Sequence, residues 1–151
     1  MKEKIVSIFY LFLPLLLGTI IGILTSNYMD YSNITKPLFS PPGFIFPIVW
    51  TILYLLMGLS YFVIKKTETS DKKMDFVYYL QLFFNLSWSI IFFVFKFRLL
   101  SVIWVVILDI LVIYMIYLFY KKIKLSAYLN IPYLIWILFA TYLTIGIFIL
   151  N

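Results

Sequence analysis

The chain has 151 residues, of which 65% are hydrophobic and only 12% are charged, and its formal net charge is +6. Soluble domains carry about 25% charged residues, and a chain of this length cannot bury so much apolar surface in one core, so a soluble globular fold is excluded. The absence of cysteine and histidine excludes disulfides, thiolate nucleophiles and the commonest metal ligand. We therefore predict no metal site and no required cofactor.

Five long apolar segments, separated by charged residues, follow one another along the chain. Four of them carry no charge, over residues 5–24, 37–64, 76–95 and 125–151. The remaining segment, 99–120, contains one charged residue, Asp109. Each segment is long enough to cross a bilayer, because a spanning helix needs about 20 residues. We predict an all-α integral membrane bundle in one domain, residues 1–151, with transmembrane helices at about residues 5–24, 42–64, 75–95, 99–120 and 126–149.

Local signals mark some helix ends and one long connection. Ser40, followed by two prolines, is typical of an N-cap at the start of the second helix, and Ser126 is expected to cap the fifth. Residues 25–40 form the longest non-helical stretch, which is long enough to fold over one mouth of the bundle. Gly18 and Gly22 form a GxxxG match that permits close helix approach, either within the monomer or in a homodimer.

Lysine and arginine divide unequally between the two sides of such a bundle. The N-terminus and the second and fourth loops carry two, four and three of them, whereas the opposite side carries three in all. Cytoplasmic loops are enriched in these residues, so we expect a bacterial plasma membrane protein with its N-terminus in the cytoplasm and its C-terminus outside. This pattern accounts for the positive charge, and we expect no nucleic-acid partner.

Aromatic residues make up 22% of the chain, and several fall in helical register with polar or small residues. Three pairs each share one face of a predicted helix: Trp50 with Tyr54, Asn85 with Trp88, and Trp136 with Ala140. Inward-turned faces would make an aromatic-walled cavity suited to a flat, largely apolar ligand. The alternative is ordinary aromatic packing between helices, and periodicity alone does not separate the two.

Asp109 is the one carboxylate deep inside a predicted span. An isolated Asp at the bilayer centre costs about 2.5–3.5 kcal/mol on insertion scales, so we expect this residue to face the bundle and to find a partner. Two interpretations stay open: a ligand or proton site, and a structural hydrogen bond with the backbone or with a Tyr, Thr or Trp donor.

Several strings, taken together, resemble a known family. They are Lys36–Gly43 (KPLFSPPG), Phe46–Tyr54 (FPIVWTILY), Asn85–Trp88 (NLSW), Pro132–Trp136 (PYLIW) and Phe139–Leu143 (FATYL). With the stretch around Asp109, they closely resemble the TspO/MBR family, the tryptophan-rich sensory proteins and translocator proteins, also called peripheral benzodiazepine receptors. The resemblance implies a five-helix bundle, often dimeric, with a porphyrin-binding pocket that opens toward the first loop. By position, the resemblance implies a lining of Trp50, Asn85, Trp136 and Ala140, with Tyr31 from the loop.

Three functions follow from the resemblance and stay open. The first is a tetrapyrrole-binding sensor, carrier or scavenger. The second is a light-dependent enzyme that degrades protoporphyrin IX, with Trp50 and Trp136 as its catalytic residues, so that porphyrin is ligand or substrate. The third is a structural or regulatory membrane subunit. The family often has Trp where this chain has Asp30 and Phe39, so we expect a thinner aromatic contribution from the loop and altered porphyrin affinity.

Overall fold

Helices account for most of the computed structural model, which describes the backbone of residues 2–151 and the side chains from residue 8 onward. The helices are α1 Lys2–Thr25, α2 Ile45–Lys66, α3 Lys72–Ser89, α4 Arg98–Lys122, α5 Lys124–Leu129 and α6 Ile131–Leu150, and α3 continues as a π-helical segment, Ile90–Val94. With α5 and α6 forming one span, five helical segments are long and apolar enough to cross a membrane. The predicted five-helix membrane bundle is confirmed.

Two predicted helix starts differ from the structure. α2 begins at Ile45 instead of about residue 42, because residues 42–44 form a tighter turn, in which the Ile45 N–H donates to the Pro42 carbonyl three residues earlier at 3.1 Å. Ser40 caps nothing there: its hydroxyl donates to the Pro37 carbonyl at 2.7 Å. The fifth span begins at Lys124, so Ser126 lies inside α5 and is not its N-cap.

The fifth span is interrupted at Asn130, between α5 and α6. The fully buried Asn130 amide donates to the Ser60 hydroxyl of α2 at 2.8 Å and to the Ser126 carbonyl at 3.1 Å. Pro132, in the first turn of α6, has no N–H to leave unpaired there. This buried bond fixes the start of α6 against α2.

The two halves of the bundle are packed differently. The half nearer the second and fourth loops is solid and contains the fully buried rings of Tyr61, Tyr78, Phe119 and Tyr133. There α1 approaches α2 so closely that a Cβ at Gly58 would collide with the backbone of α1. The half nearer the first loop is hollow, and the candidate site lies in it.

Candidate functional site

A cavity of about 650 Å³ lies in the hollow half of the bundle. Its wall comes from the C-terminal part of α1, the N-terminal part of α2, the end of α3 with its π-helical segment, and α6. Residues 26–44, which we call the strap, contribute Ser26, Met29, Tyr31 and Gly43 to the same wall. Binding cavities for small molecules measure about 300–1,000 Å³, so this volume suits a ligand of substantial size.

Eight of the 25 residues that line the cavity are aromatic. Trp50 stacks on Tyr54, with ring centroids 5.3 Å apart and planes at 28°, and Trp88 stacks on Phe92 at 4.9 Å and 16°. Trp136 packs edge-on against Phe46 at 5.8 Å. Three of the four tryptophans of the chain therefore line one space.

The π-helical segment supplies two of these rings. It brings Phe92 and Phe93 into the wall, and single-turn π-helices of this kind are frequent at functional sites. Arg98, at the start of α4, donates from Nη1 to the Phe92 carbonyl at 3.1 Å, and its guanidinium lies 4.3 Å from the centre of the Phe92 ring. The widened turn is thus held from outside the cavity by a charged side chain.

Six of the seven residues predicted to bind a ligand line the cavity: Tyr31, Trp50, Tyr54, Trp88, Trp136 and Ala140. Asn85, the seventh, is not in the wall. It is 3% exposed and accepts a hydrogen bond from the Tyr54 hydroxyl at 2.6 Å. The predicted lining role of Asn85 is therefore corrected, because Tyr54 stands between its amide and the cavity.

Asn85 belongs to a buried chain of hydrogen bonds beneath the cavity. Its Nδ2 lies 2.8 Å from the Tyr133 hydroxyl, which donates to Gln81 Oε1 at 2.8 Å. Gln81 in turn donates to Met57 Sδ at 3.4 Å. A fully paired polar network is rigid, so the chain gives the cavity a fixed floor. The roles of Gln81 and Tyr133 were not predicted from the sequence, although Gln81 lies one helical turn before Asn85.

The strap covers one end of the cavity and is fastened to itself and to α6. The Tyr31 hydroxyl donates to the Pro41 carbonyl at 2.7 Å, and partial burial raises the pKa of this phenol, which keeps it a neutral donor. At the end of α6, Asn151 Nδ2 donates to the Thr35 carbonyl at 2.8 Å and Asn151 Oδ1 accepts from the Thr35 N–H at 3.2 Å. These bonds hold the part of the strap that carries Tyr31 over the cavity.

The cavity wall is open between α1 and α2. Thr19 and Ile23 of α1, and Pro47 and Thr51 of α2, line the cavity and remain exposed. Both threonine hydroxyls donate to carbonyls of their own helices at 2.7 Å. The opening therefore presents mostly apolar surface, which matches the acyl chains of a bilayer.

The GxxxG pair serves this part of the molecule. A Cβ at Gly18 would collide with the Tyr54 ring, whereas a Cβ at Gly22 would meet no atom within 4 Å. Both glycines line the cavity. Of the two glycines, Gly18 alone makes a close approach within the monomer, and the homodimer stays a prediction.

Asp109 is buried between α4 and α6, away from the cavity wall. Thr141 donates from Oγ1 to Asp109 Oδ2 at 2.6 Å, and Asp109 Oδ1 has no hydrogen-bond partner among the described residues. The bond to Thr141 favours the structural interpretation of this carboxylate over a ligand site.

The fold and the cavity define a class: a polytopic helical membrane protein with an aromatic-lined cavity among its spanning helices. The sequence model of the TspO/MBR family matches residues 10–150, and the chain belongs to this family. The predicted family membership is thereby confirmed, and so is the prediction that this is an integral membrane protein.

Individual relatives agree with this assignment. The tryptophan-rich protein TspO of Archaeoglobus fulgidus is 37% identical over 122 residues, covering 80% of this chain and 79% of the relative. The protein of the same name from Chlorobaculum tepidum is 35% identical over 126 residues, covering 80% and 78%. The tryptophan-rich sensory protein of Cereibacter sphaeroides is 34% identical over 111 residues, covering 74% and 70%.

Proposed function

We propose that this protein binds a flat, largely apolar ligand of the porphyrin type in its intramembrane cavity, as a sensor, carrier or scavenger. The observation that carries the proposal is the presence of three indoles, Trp50, Trp88 and Trp136, in the wall of one cavity of about 650 Å³. Stacking between aromatic rings contributes about 0.5–1.5 kcal/mol per pair beyond the burial of apolar area. A planar macrocycle is a ligand that can use several such faces at once.

The opening between α1 and α2 supports the same ligand class. A large apolar ring system partitions into the bilayer, so its route to the cavity starts in lipid. Thr19 and Thr51 have their hydroxyls bonded to their own helices, and they present little polarity to a ligand that passes between them.

Polar groups beside the cavity fit a ligand with acceptors on its edge. The indole N–H groups of Trp88 and Trp136 are buried without a hydrogen-bond partner among the described residues. Unpaired buried donors are costly, and both rings line the cavity. A ligand carboxylate or pyrrole-type nitrogen carries the kind of acceptor that these N–H groups lack.

A dark titration with protoporphyrin IX tests the proposal. The purified protein, in lipid nanodiscs, should show saturable quenching of tryptophan fluorescence and a shifted porphyrin absorption band. Trp136→Leu should raise the dissociation constant at least about tenfold, which corresponds to a loss of ~1.4 kcal/mol of binding free energy.

Trp104→Leu is the matched control, because Trp104 stacks on Phe84 at 4.4 Å outside the cavity wall. It should bind as the wild type does. Quenching that never saturates would contradict porphyrin binding and leave the structural or regulatory role. Equal affinities of the two variants would contradict binding in this cavity.

Light-dependent degradation of the bound porphyrin is the second candidate function. It is favoured by one observation: Trp50 and Trp136 line the same cavity, so a single bound macrocycle can touch both. Illumination of the complex should then bleach the porphyrin more slowly in Trp50→Phe and Trp136→Phe than in the Trp104→Phe control. Equal decay in all three would remove the enzymatic function and keep the binding function.

We also propose the predicted orientation in a bacterial plasma membrane. The chain has no cysteine, so single cysteines report sidedness without background. Asn33→Cys, in the strap, should react with a membrane-impermeant maleimide in intact cells, and Glu68→Cys, between α2 and α3, should react only after lysis. The reverse pattern would invert the topology.

A further inference from the structure

The strap carries a strongly apolar tip that the protein itself leaves uncovered. Leu38 and Phe39 are 78% and 85% exposed, and Phe44, at the end of the strap, is 66% exposed. We propose that Leu38 and Phe39 form a membrane anchor, which inserts between the lipids beside α6 and holds the strap over the cavity. The proposal does not depend on the identity of the ligand.

The depth of the tip relative to α6 carries the proposal. The Tyr142 hydroxyl donates to the Leu38 carbonyl at 2.7 Å, and Pro37 packs so closely on Gly146 that a Cβ there would meet its ring. α6 ends at Leu150. At ~1.5 Å per residue, Gly146 and Tyr142 lie roughly 6 Å and 12 Å below that end.

The tip therefore runs back along a membrane-spanning helix instead of standing above it. α6 ends the fifth span, Lys124–Leu150, whose 27 residues make it about 40 Å long, roughly 10 Å more than a bilayer's hydrocarbon layer. A segment that reaches back by roughly 6–12 Å from the end of this span therefore lies at the boundary between headgroups and acyl chains.

The chemistry of the strap changes along this descent. Asn33 and Thr35 are exposed and polar, and Thr35 is fastened to Asn151 at the very end of α6. From residue 37 to residue 64 the chain has no charge. The polar part of the strap thus lies level with the helix end, and the apolar part lies below it, which is the polarity gradient of a membrane surface.

The backbone at Phe39 points to the same partner. Its φ of +67° lies in the left-handed region, which residues with a bulky side chain rarely adopt. The ring has little contact with the protein, so packing within the chain does not offset this strained conformation. Transfer of the ring into lipid does supply such a gain, by the hydrophobic effect.

The surface beside the tip is already a lipid-facing one. Exposed residues of α6 on this part of the helix include Tyr142, Ile145 and Ile149, and they belong to a segment that is apolar enough to span. Lipid is therefore the partner that covers both α6 and the tip without a change of environment between them.

Fluorescent labelling of single cysteines tests the insertion. Phe39→Cys and the control Asn33→Cys are each labelled with a nitrobenzoxadiazole (NBD) maleimide in phosphatidylcholine nanodiscs, with thermal unfolding as the check on folding. The label at 39 should emit at shorter wavelength and be quenched several-fold more than the label at 33 by a lipid spin-labelled near the top of its acyl chain. The label at 33 should be the one quenched by aqueous iodide.

Two results would overturn the proposal. Iodide quenching at 39 equal to that at 33 would place the tip in water. A label at 39 shielded from both quenchers, and released when the protein is diluted into excess lipid, would show that a second copy of the chain covers the tip. Leu38→Cys repeats the test at a neighbouring position where φ is not positive.

A second variant tests whether insertion holds the strap. Glycine tolerates positive φ, so Phe39→Gly removes the ring without straining the backbone. We expect amide hydrogen exchange in residues 35–40 to rise several-fold in nanodiscs, while the spanning helices stay protected. Unchanged exchange would mean that the hydrogen bonds to α6 hold the strap by themselves, and the anchoring role would be wrong.

Discussion

Filling the cavity from α1 gives the sharpest test of where a ligand lies. Gly22 lines the cavity, and a Cβ built there meets no atom within 4 Å, so Gly22→Leu adds a side chain whose first carbon has free space. Its four carbon atoms occupy roughly 120 Å³, if each takes ~30 Å³, the volume of one water molecule. That is just under one fifth of the cavity volume of about 650 Å³.

A rigid macrocycle cannot rearrange around the added side chain. Overpacking a well-filled site costs about 1–3 kcal/mol, which corresponds to a roughly 5- to 150-fold higher dissociation constant for protoporphyrin IX. The stability of the empty protein should not fall, because glycine in a helix interior is less favourable than other residues by up to ~1 kcal/mol. The assay is a dark titration of the porphyrin absorption band, with thermal unfolding measured on the same samples.

Gly22→Ala is the graded control, since one carbon atom should weaken binding only slightly. If Gly22→Leu is as stable as the wild type and binds protoporphyrin IX equally well, the ligand does not use the space beside α1. The assignment of this cavity as the binding site would then be wrong.

Four further substitutions test the packing that surrounds the cavity, each by thermal unfolding in detergent. Gly58→Ala should lower stability by about 1–3 kcal/mol, because the added Cβ meets the backbone of α1. A variant as stable as the wild type would contradict that helix contact. Tyr133→Phe should cost about 1–3 kcal/mol, because it removes the buried partner of Asn85 Nδ2 and of Gln81 Oε1. Tyr78→Phe is the control and should cost no stability, since the buried Tyr78 hydroxyl has no partner among the described residues. Equal losses of stability in the two Tyr→Phe variants would refute the hydrogen-bonded chain through Tyr133. Asp109→Leu should leave stability unchanged or raise it, because the Thr141 hydroxyl keeps its bond to a carbonyl of its own helix and a buried carboxylate is replaced by an apolar side chain. A large loss of stability would restore the ligand or proton interpretation of Asp109.

Sequence alone determined the membrane class, the number of spans and the family of this protein. These properties follow from the lengths and compositions of consecutive segments, which no distant contact can change. The side chains of the site were also largely predictable, because Trp50 with Tyr54 and Trp136 with Ala140 share helical faces. What periodicity could not supply is the direction in which each face turns.

Tertiary structure decided that direction. Asn85 and Trp88 share a face of the third span, yet Trp88 lines the cavity while Asn85 bonds Tyr54 behind the wall. The placement of the strap against Gly146 likewise depends on residues more than 100 positions apart. Such contacts depend on how helices rotate and tilt against one another, which is a property of the packed bundle and not of any one segment.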